Sequence, residues 1–324
     1  MLKAALLGAG GWGQKLLTAV RDSTNIKITT VLTRDPAGRS ELARKFGVTL
    51  TADYNEILAH PGIDAVVIAT PHSQHAGQIA LAAKAKKHVF VEKPLTLTKA
   101  SAERAIDACR AAGVTLAVGF NRRCAPAQIA MKQRIVAGEI GRLRFLEGHF
   151  SGPANYQIVA NNWRSNNVES PGGAMTARGV HMLDSMIEMA GLITEVSAMS
   201  DRKQITIDID DTTAALLKFA GGASGALTTL HASTMLWRLH VFGEKGALEM
   251  RGDNDLTAFN LDGKPTPHAF AAIDKERAVL EKFAADVAAG VKLPIAPEVL
   301  INNVAVTEAI AGPAKTKPVK IASS

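Results

Sequence analysis

A glycine-rich segment at residues 8–13, with the sequence GAGGWG, constrains the fold of this 324-residue chain more than any other feature. It directly follows the apolar stretch Lys3–Leu7 and leads into a segment whose apolar residues have helical spacing. In this strand–turn–helix setting, the G-x-G-x-x-G pattern is typical of a dinucleotide-binding turn. Gly8 permits the tight turn, Gly10 lets a pyrophosphate approach the backbone, and Gly13 lets helix and strand pack closely. The predicted dinucleotide-binding residues of this segment are Gly8, Gly10, Gly11, Trp12 and Gly13. The alternative is a glycine-rich turn that binds no ligand.

The first 120 residues alternate short β-branched stretches with amphipathic stretches of helical period. This rhythm predicts βαβ units with a parallel sheet, and right-handed crossovers would place the strands in one doubly wound sheet. The predicted strands are Lys3–Leu7, Ile26–Leu32, Ala65–Thr70, His88–Val91 and Thr115–Gly119. We therefore predict an α/β protein whose first domain, residues 1–122, is a Rossmann domain.

The second half of the chain has a different rhythm, in which strand-like stretches dominate. Consecutive strands joined by tight turns, such as the one predicted at Gly221-Gly222, favour an antiparallel or mixed sheet. We therefore predict a second domain, residues 123–324, of α+β class with an open, mainly antiparallel sheet. Helices are expected at Ala127–Ala137 and Pro297–Ala311. The predicted strands are Leu143–Phe150, Glu195–Met199, Thr212–Phe219, Gly225–His231, Arg238–Phe242 and Ala247–Met250.

The type of dinucleotide is predicted from the residues about 20 positions after the glycine motif, where an acidic residue would bind the ribose 2′-hydroxyl of NAD. Thr33 and Arg34 occupy this place, and Arg39 follows closely. A guanidinium group suits a 2′-phosphate, which favours NADP over NAD. The competing residue is Asp35, but Asp35-Pro36 is also a turn signal.

The segment Val89-Phe90-Val91-Glu92-Lys93-Pro94 predicts a buried strand that ends at a Glu-Lys pair. Ligands of open parallel sheets bind at the carboxyl ends of the strands, so Lys93 is placed where an amine can act on a reacting oxygen. The alternative is a Glu-Lys pair that only faces solvent.

Composition narrows the possible partners. The net charge is +7, but the basic residues are scattered and only 5% of residues are aromatic, which argues against nucleic-acid binding. No apolar stretch approaches the length of a membrane span. Cys109 and Cys124 lack metal-ligand spacing, so we expect a cytoplasmic protein with free thiols and no metal site.

Several motifs together resemble the glucose-fructose oxidoreductase and inositol dehydrogenase (Gfo/Idh/MocA) family. They are the glycine motif at Gly8, the segment from Thr70 to His75 (TPHSQH), Lys87-His88-Val89 leading to Glu92-Lys93-Pro94, and Gly172-Gly173 upstream of residues 179–184 (GVHMLD). The resemblance extends over nearly the whole chain. It implies an NAD(P)-dependent oxidoreductase that transfers hydride between nicotinamide and a sugar, cyclitol or related hydroxy or keto compound.

The resemblance also implies roles for individual residues. Thr70, Pro71, His75, Glu92 and Lys93 would line the cofactor cleft, with Asn121 after the last Rossmann strand and Trp163-Arg164 contributed by the second domain. Lys93 and His181 would flank the reacting carbon, and the open sheet would form the interface of a homodimer or homotetramer. Asp184, one helical step from His181, would either orient the imidazole ring or merely cap and solvate its helix.

The sequence departs from the family pattern just before His181. Many relatives carry an aspartate four residues earlier, where this chain has Ala177, and the usual triple glycine is Pro171-Gly172-Gly173. Arg178 follows, and a surface position is favoured over contact with an anionic substrate. The asparagines around Trp163-Arg164 are interpreted as a loop, with contact to a polyhydroxyl substrate as the alternative; they are Asn161, Asn162, Asn166 and Asn167.

Two other functions remain open from the sequence. One is an NAD-dependent glycoside-cleaving enzyme that retains its cofactor, and the other is a non-catalytic dinucleotide-binding regulator in which Ala177 marks a lost catalytic centre.

Overall fold

The computed structural model describes residues 1–153 and 162–312, which group into two compact units. The first unit contains residues 1–124 and 273–300, and the second contains residues 125–272 and the chain from residue 301 onward. The single boundary predicted at residue 122 therefore describes only the first passage of the chain between the units. Residues 273–300 return to the first unit because Leu280, Phe283 and Ala284 are buried in its core, where the Phe283 ring lies 5.8 Å from that of Phe90.

The first unit is built on a six-stranded parallel sheet with the strand order β3-β2-β1-β4-β5-β6. This is the order of a doubly wound dinucleotide-binding fold, so the predicted fold class is confirmed. All four residues of β4 are buried, as expected of a strand covered on both faces. The strands are β1 (Leu2–Leu7), β2 (Ile26–Leu32), β3 (Thr49–Thr51), β4 (Ala65–Ile68), β5 (His88–Val91) and β6 (Leu116–Val118).

The helices of the first unit begin and end at residues with recognisable capping roles. The helix that starts at Lys99 is capped by Thr98, whose hydroxyl accepts a hydrogen bond from the Ser101 amide, and it ends before Gly113 in the left-handed conformation. The helices are α1 (Gly11–Ala19), α2 (Ser40–Phe46), α3 (Tyr54–Ala59), α4 (His75–Lys84), α5 (Lys99–Ala112) and α8 (Lys275–Ala288).

The second unit contains an eight-stranded sheet with the order β14-β13-β12-β11-β7-β10-β9-β8. Only the pair β7–β10 is parallel, so the prediction of a mainly antiparallel sheet is confirmed. The predicted turn at Gly221-Gly222 joins β9 to β10. The strands are β7 (Leu143–Ser151), β8 (Ile193–Asp201), β9 (Thr212–Phe219), β10 (Ser224–Leu230), β11 (Leu236–Gly243), β12 (Ala247–Arg251), β13 (Asp255–Phe259) and β14 (Pro265–Ala269).

Helix α7 (Val180–Ala190) packs closely on this sheet. A Cβ atom at Gly148 of β7 would lie 2.6 Å from the Met182 side chain and 2.8 Å from that of Met186, so the glycine makes room for the helix. The other helices of this unit are α6 (Pro126–Val136) and α9 (Pro297–Ala311), whose first residues belong to the first unit. The Asn303 amide of α9 donates to the Val180 carbonyl at 3.0 Å, which fixes the start of α7.

Within residues 1–153 and 162–312, no helix is both long enough and apolar enough to cross a membrane. The same residues contain no group of three or more His, Cys, Asp or Glu side chains arranged to hold a metal ion.

The buried carboxylate of Asp211 organises the turn between β8 and β9. Its Oδ2 accepts hydrogen bonds from the amides of Lys203, Gln204 and Ile205 at 2.8, 2.6 and 3.1 Å, and its Oδ1 accepts one from the Thr212 hydroxyl at 2.7 Å. Burial by itself raises the pKa of Asp211, but these hydrogen bonds outweigh it and hold the pKa below its ordinary value.

We therefore expect Asp211→Asn to lower the free energy of unfolding at pH 7 by about 2 kcal/mol. The folded-state pKa is depressed, so this contribution is present above the unfolded-state pKa of about 3.9 and is lost as the pH falls through the folded-state value. Urea unfolding at pH 7 and pH 3 measures the change. The exposed Asp208, which pairs with Arg202, provides the control Asp208→Asn. A loss of equal size at both pH values would contradict this account.

Candidate functional site

The glycine-rich turn joins β1 to α1 with very little space at two positions. Gly8 has φ of +107°, and a Cβ atom there would lie 2.6 Å from the Ala69 carbonyl oxygen. A Cβ atom at Gly13 would lie 2.0 Å from the Gly8 carbonyl oxygen. These contacts require glycine at both positions. A side chain at Gly8 would push the turn away from the backbone that follows β4, and one at Gly13 would push α1 away from the end of β1.

The same turn is open at its other glycines. No atom lies within 4 Å of the position that a Cβ would take at Gly10 or Gly11, and Gly10 supplies no side-chain cap to α1. The first amides of a helix have no intrahelical partner and attract anions. The turn therefore offers the backbone cradle that a pyrophosphate requires.

The segment after β2 presents two arginines and a neutral residue. Arg34 and Arg39 are exposed, and neither forms an ion pair with a described residue, while Thr33 is half-buried. The carboxylate of Asp35 accepts a hydrogen bond from the Gly38 amide at 2.9 Å. The acidic residue is thus engaged in a local turn, whereas the arginines remain available to a ligand.

His75 connects the loops that follow β4 and β5. Its Nδ1 lies 2.9 Å from the Pro94 carbonyl and its Nε2 lies 3.1 Å from the Thr70 carbonyl. The Thr70 hydroxyl donates a hydrogen bond to Gln78 Oε1 at 2.6 Å, and Pro71 is the next residue in the chain. The His75 side chain is fully buried, so it organises the two loops and has no surface to offer a ligand.

Glu92 and Lys93 stand at the carboxyl end of β5. The carboxyl group of Glu92 packs on Gly119, where a Cβ atom would lie 3.0 Å from both oxygens, and it accepts the Lys93 amide at 3.3 Å. Burial is the main influence on the pKa of Glu92 and raises it, although the Trp12 indole and the Lys93 charge act in the opposite direction. The Trp12 indole N–H is near the Glu92 carboxyl group but does not form a hydrogen bond of standard geometry with it. Lys93 is partly exposed at the strand end.

Asn121, directly after β6, is held by a charged pair. Its Nδ2 donates to Glu276 Oε1 at 3.1 Å, and Lys15 Nζ lies 2.6 Å from the same oxygen. Lys15 also stands 4.7 Å from the centre of the Trp12 ring. The Asn121 Oδ1 is buried without a hydrogen-bond partner among the described residues, which leaves a fixed acceptor for a ligand.

Burial by itself raises the pKa of Glu276, but the hydrogen bond from Lys15 is the main opposing effect and the net pKa is lowered. The neighbouring Glu92 has a raised pKa instead. The surroundings of the two carboxyl groups therefore shift their pKa values in opposite directions.

In the second unit, Trp163 and Arg164 form a stacked pair in a short 3₁₀ turn, with the guanidinium carbon 4.0 Å from the ring centre. Asn162 accepts the Arg164 amide at 3.0 Å, and Asn166 accepts the Val168 and Glu169 amides at 3.0 and 3.1 Å. These contacts support the interpretation of the asparagines as loop-forming residues. Asn167 is exposed, and Asn161 lies outside the described residues.

His181 and Asp184 lie in the first half of α7, which follows a π-helical turn at Met175–Gly179. His181 is partly exposed and its ring centre lies 6.3 Å from that of Phe150. Asp184 is only 1% exposed and lies inside the helix, which excludes the alternative that it merely caps and solvates it. Arg178 is 7% exposed, so the prediction of a surface arginine is wrong.

Sequence reasoning missed Glu276, Lys15 and Phe150. Glu276 lies 155 residues from Asn121, and its own sequence surroundings resemble those of any surface helix. Lys15 stands two residues after the glycine motif, but only the contact with Glu276 gives it a role.

Comparison with known proteins identifies the family. The model of an oxidoreductase family with an NAD-binding Rossmann fold matches residues 2–120, and the model of the Gfo/Idh/MocA C-terminal domain matches residues 129–249. Together the matches cover most of the chain, so the protein belongs to the Gfo/Idh/MocA family of oxidoreductases. The resemblance inferred from the motifs is confirmed.

Individual relatives are more distant. The scyllo-inositol 2-dehydrogenase (NAD(+)) of Bacillus subtilis is 40% identical over 154 residues, which cover 45% of this chain and 44% of that protein. The chain spans about half the length of the first relatives it matches in sequence. A levoglucosan dehydrogenase in complex with NADH and levoglucosan superimposes with a TM-score of 0.87 at 22% identity and covers 97% of both chains. The 3-ketoreductase KijD10 from Actinomadura kijaniata, in complex with NADP and TDP-benzene, gives 0.85 at 22% identity over 95% of this chain and 96% of that chain. At these identities the two structures show the fold alone.

The geometry of the glycine turn predicts different effects for two alanine substitutions. Gly13→Ala forces a methyl group against the Gly8 carbonyl, so we expect a lower melting temperature as well as weaker binding of NADPH. Gly10→Ala meets no protein atom and should leave the melting temperature unchanged, but its methyl group enters the pyrophosphate cradle and should weaken NADPH binding at least about tenfold. Thermal unfolding and fluorescence titration measure both effects. Unchanged NADPH affinity in Gly10→Ala would contradict the cradle.

Proposed function

We propose that this protein is an NADP-dependent oxidoreductase that transfers hydride between the nicotinamide and a carbon of a sugar, cyclitol or related hydroxy or keto compound. The observation that carries the proposal is the open glycine cradle between β1 and α1, in the same parallel sheet as β5, whose carboxyl end leads to Lys93. In the oxidative direction a secondary alcohol loses a hydride to NADP⁺ and a proton to the protein, giving a ketone and NADPH. The dinucleotide supplies the hydride acceptor, and the protein supplies orientation and a route for the proton.

Within this proposal, Lys93 donates a hydrogen bond to the reacting oxygen and His181 exchanges its proton. A lysine ammonium polarises a carbonyl oxygen, and an imidazole titrates near neutral pH. Asp184 orients His181 from within α7. Asn121 offers its carbonyl oxygen to the cofactor, because its amide nitrogen is committed to Glu276. Trp163-Arg164 contributes to cofactor binding from the second unit.

The surroundings of the ribose site support NADP over NAD. Asp35, which would otherwise compete for the 2′-hydroxyl of NAD, is engaged with the Gly38 amide. The guanidinium groups of Arg34 and Arg39 are exposed and not ion-paired to described residues, and such groups suit a 2′-phosphate.

We expect Arg34→Ala to raise the dissociation constant of NADPH at least about tenfold and to change that of NADH by less than about twofold, because only NADPH carries the phosphate. Arg44→Ala, on the exposed side of α2, is the matched control and should change neither value. Isothermal titration calorimetry measures all six constants, for NADPH and NADH with the wild type and with each variant. Tighter binding of NADH than of NADPH by the wild-type protein would overturn the assignment.

The catalytic roles predict that Lys93→Met and His181→Ala each lower kcat by about 10²–10⁴-fold, the range of general acid–base catalysis. Binding of NADPH should largely survive in both variants. The measurements are steady-state rates over a panel of sugars and cyclitols and titration of NADPH. Unchanged rates in both variants would refute these roles, and product formation without a net change of nicotinamide absorbance would indicate a glycoside-cleaving enzyme instead.

The open sheet face of the second unit supports the further proposal that the protein forms a homodimer or homotetramer. Leu216 on β9 and Met199 on β8 are 65% and 50% exposed on strands that pair with each other. Half-buried polar residues follow on the strands beyond; they are Glu147, His149, Arg238, His240 and Glu249. A second copy of the chain is the partner we propose for this face.

A further inference from the structure

Arg178 is a buried cation close to His181. It belongs to the π-helical turn that precedes α7, and only 7% of the residue is exposed. Its guanidinium group packs on Gly152, where a Cβ atom would lie 2.7 Å from Nη1 and 2.8 Å from Nη2. The guanidinium carbon lies 5.1 Å from the centre of the Phe150 ring.

No carboxylate of the described residues neutralises this guanidinium. Arg178 forms no ion pair with them, and its Nε is buried without a hydrogen-bond partner among them. An isolated buried charge is costly, and arginine does not relieve the cost by losing its proton at physiological pH. The Phe150 ring compensates only a part of this cost, through a cation–π contact. Burial also lowers the pKa of Arg178, in agreement with a site that lacks an internal counterion.

The position of Arg178 connects it to the candidate catalytic residue. Arg178 lies in the π-helical turn, and His181 lies three positions further along the chain, in the first turn of α7. Both groups lie against the Phe150 ring, Arg178 with its guanidinium and His181 with its imidazole. The guanidinium group and the imidazole ring therefore have the Phe150 ring as a common neighbour.

We propose that Arg178 binds a carboxylate of the substrate, so that the substrate is a sugar acid or a related hydroxy acid rather than a neutral polyol. The inference rests on the proposed function, because it places the carboxylate next to the carbon that reacts beside His181. A guanidinium edge formed by Nε and one Nη donates two parallel hydrogen bonds that match the two oxygens of a carboxylate. The residue before Arg178 in the chain is the neutral Ala177, which places no negative charge beside the guanidinium group.

Gly152 belongs to the proposed carboxylate site because it contacts the Arg178 guanidinium group. It gives the guanidinium a flat backbone surface, and a methyl group there would displace Nη1 and Nη2 while leaving every charge in place. Gly152→Ala therefore separates the position of the arginine from its mere presence.

The test compares matched substrates that differ in the carboxylate. Values of kcat/KM with NADP⁺ are measured for D-glucuronate, D-galacturonate and D-gluconate, and for D-glucose, D-galactose and myo-inositol. We expect the best acid to exceed the best neutral compound by at least about 100-fold in the wild type, because losing one partner of a buried charged pair has effects of this size. D-glucose 6-phosphate is included to distinguish a carboxylate site from a phosphate site.

Three variants accompany the wild type. Arg178→Met removes the charge at similar length and should reduce the ratio of acid to neutral substrate at least about 100-fold. Gly152→Ala should reduce the ratio in the same direction, and it guards against a failure of Arg178→Met to fold. Arg144→Met, on the same strand as Phe150 but exposed and paired with Glu244, is the control and should leave the ratio unchanged.

Neutral compounds preferred by the wild type, or a ratio that neither Arg178→Met nor Gly152→Ala changes, would overturn the inference while the proposed function stands. Preference for D-glucose 6-phosphate would overturn it as well, as would a loss of NADPH affinity in Arg178→Met without any change of the ratio.

If no compound reduces NADP⁺, the proposed function fails, and titration calorimetry of the same acids into the NADPH-bound protein decides the inference separately. Binding that depends on Arg178 would support it, and no binding would overturn it.

Discussion

The buried carboxyl group of Glu92 is the interaction on which the arrangement of the first unit depends. It lies at the end of β5, packs on Gly119 after β6, accepts the Lys93 amide and lies near the Trp12 indole of the glycine turn. One group thus connects the carboxyl ends of two strands with the start of α1. Burial raises the pKa of Glu92, and the nearby Glu276 acts in the same direction.

Glu276 extends the same network to the residues that a cofactor would contact. Its carboxylate holds Lys15 and Asn121 at once, and Lys15 in turn lies over the Trp12 ring. The amide of Asn121 is thereby fixed through its Nδ2, and its Oδ1 has no hydrogen-bond partner among the described residues. The second unit differs in its electrostatics. Its buried cation Arg178 lies next to an aromatic ring and a glycine, but it pairs with no carboxylate among the described residues. In the first unit the Glu276 carboxylate is paired with the Lys15 ammonium group. In the second unit we propose that a carboxylate of the substrate pairs with Arg178.

Local patterns were sufficient to predict most of the fold. The glycine turn, the buried strands and α9 (Pro297–Ala311) were predicted because each depends on short-range spacing of apolar residues and glycines. β3 was missed because three residues are too few to show a period. β14 was missed because four of its five residues are exposed, and β13 was missed because only one of its five residues is buried. The return of α8 to the first unit was missed because it depends on packing between Phe283 and Phe90, which are almost two hundred residues apart in the chain. Local spacing of residues does not reveal such a contact. Arg178 was placed on the surface for a related reason, since Phe150 and Gly152 bury it and no neighbouring residue signals this.

The proposed reaction is a direct hydride transfer between a carbon of the substrate and the nicotinamide, which can be followed with a deuterated substrate. The protein is incubated with NADP⁺ and with D-glucose and D-glucuronate deuterated on carbon, and the nucleotide is recovered and analysed by NMR. We expect one deuterium at C4 of the reduced nicotinamide for each molecule of ketone formed, with a larger yield from D-glucuronate than from D-glucose. Unlabelled nucleotide in the presence of product would contradict direct hydride transfer and with it the proposed function.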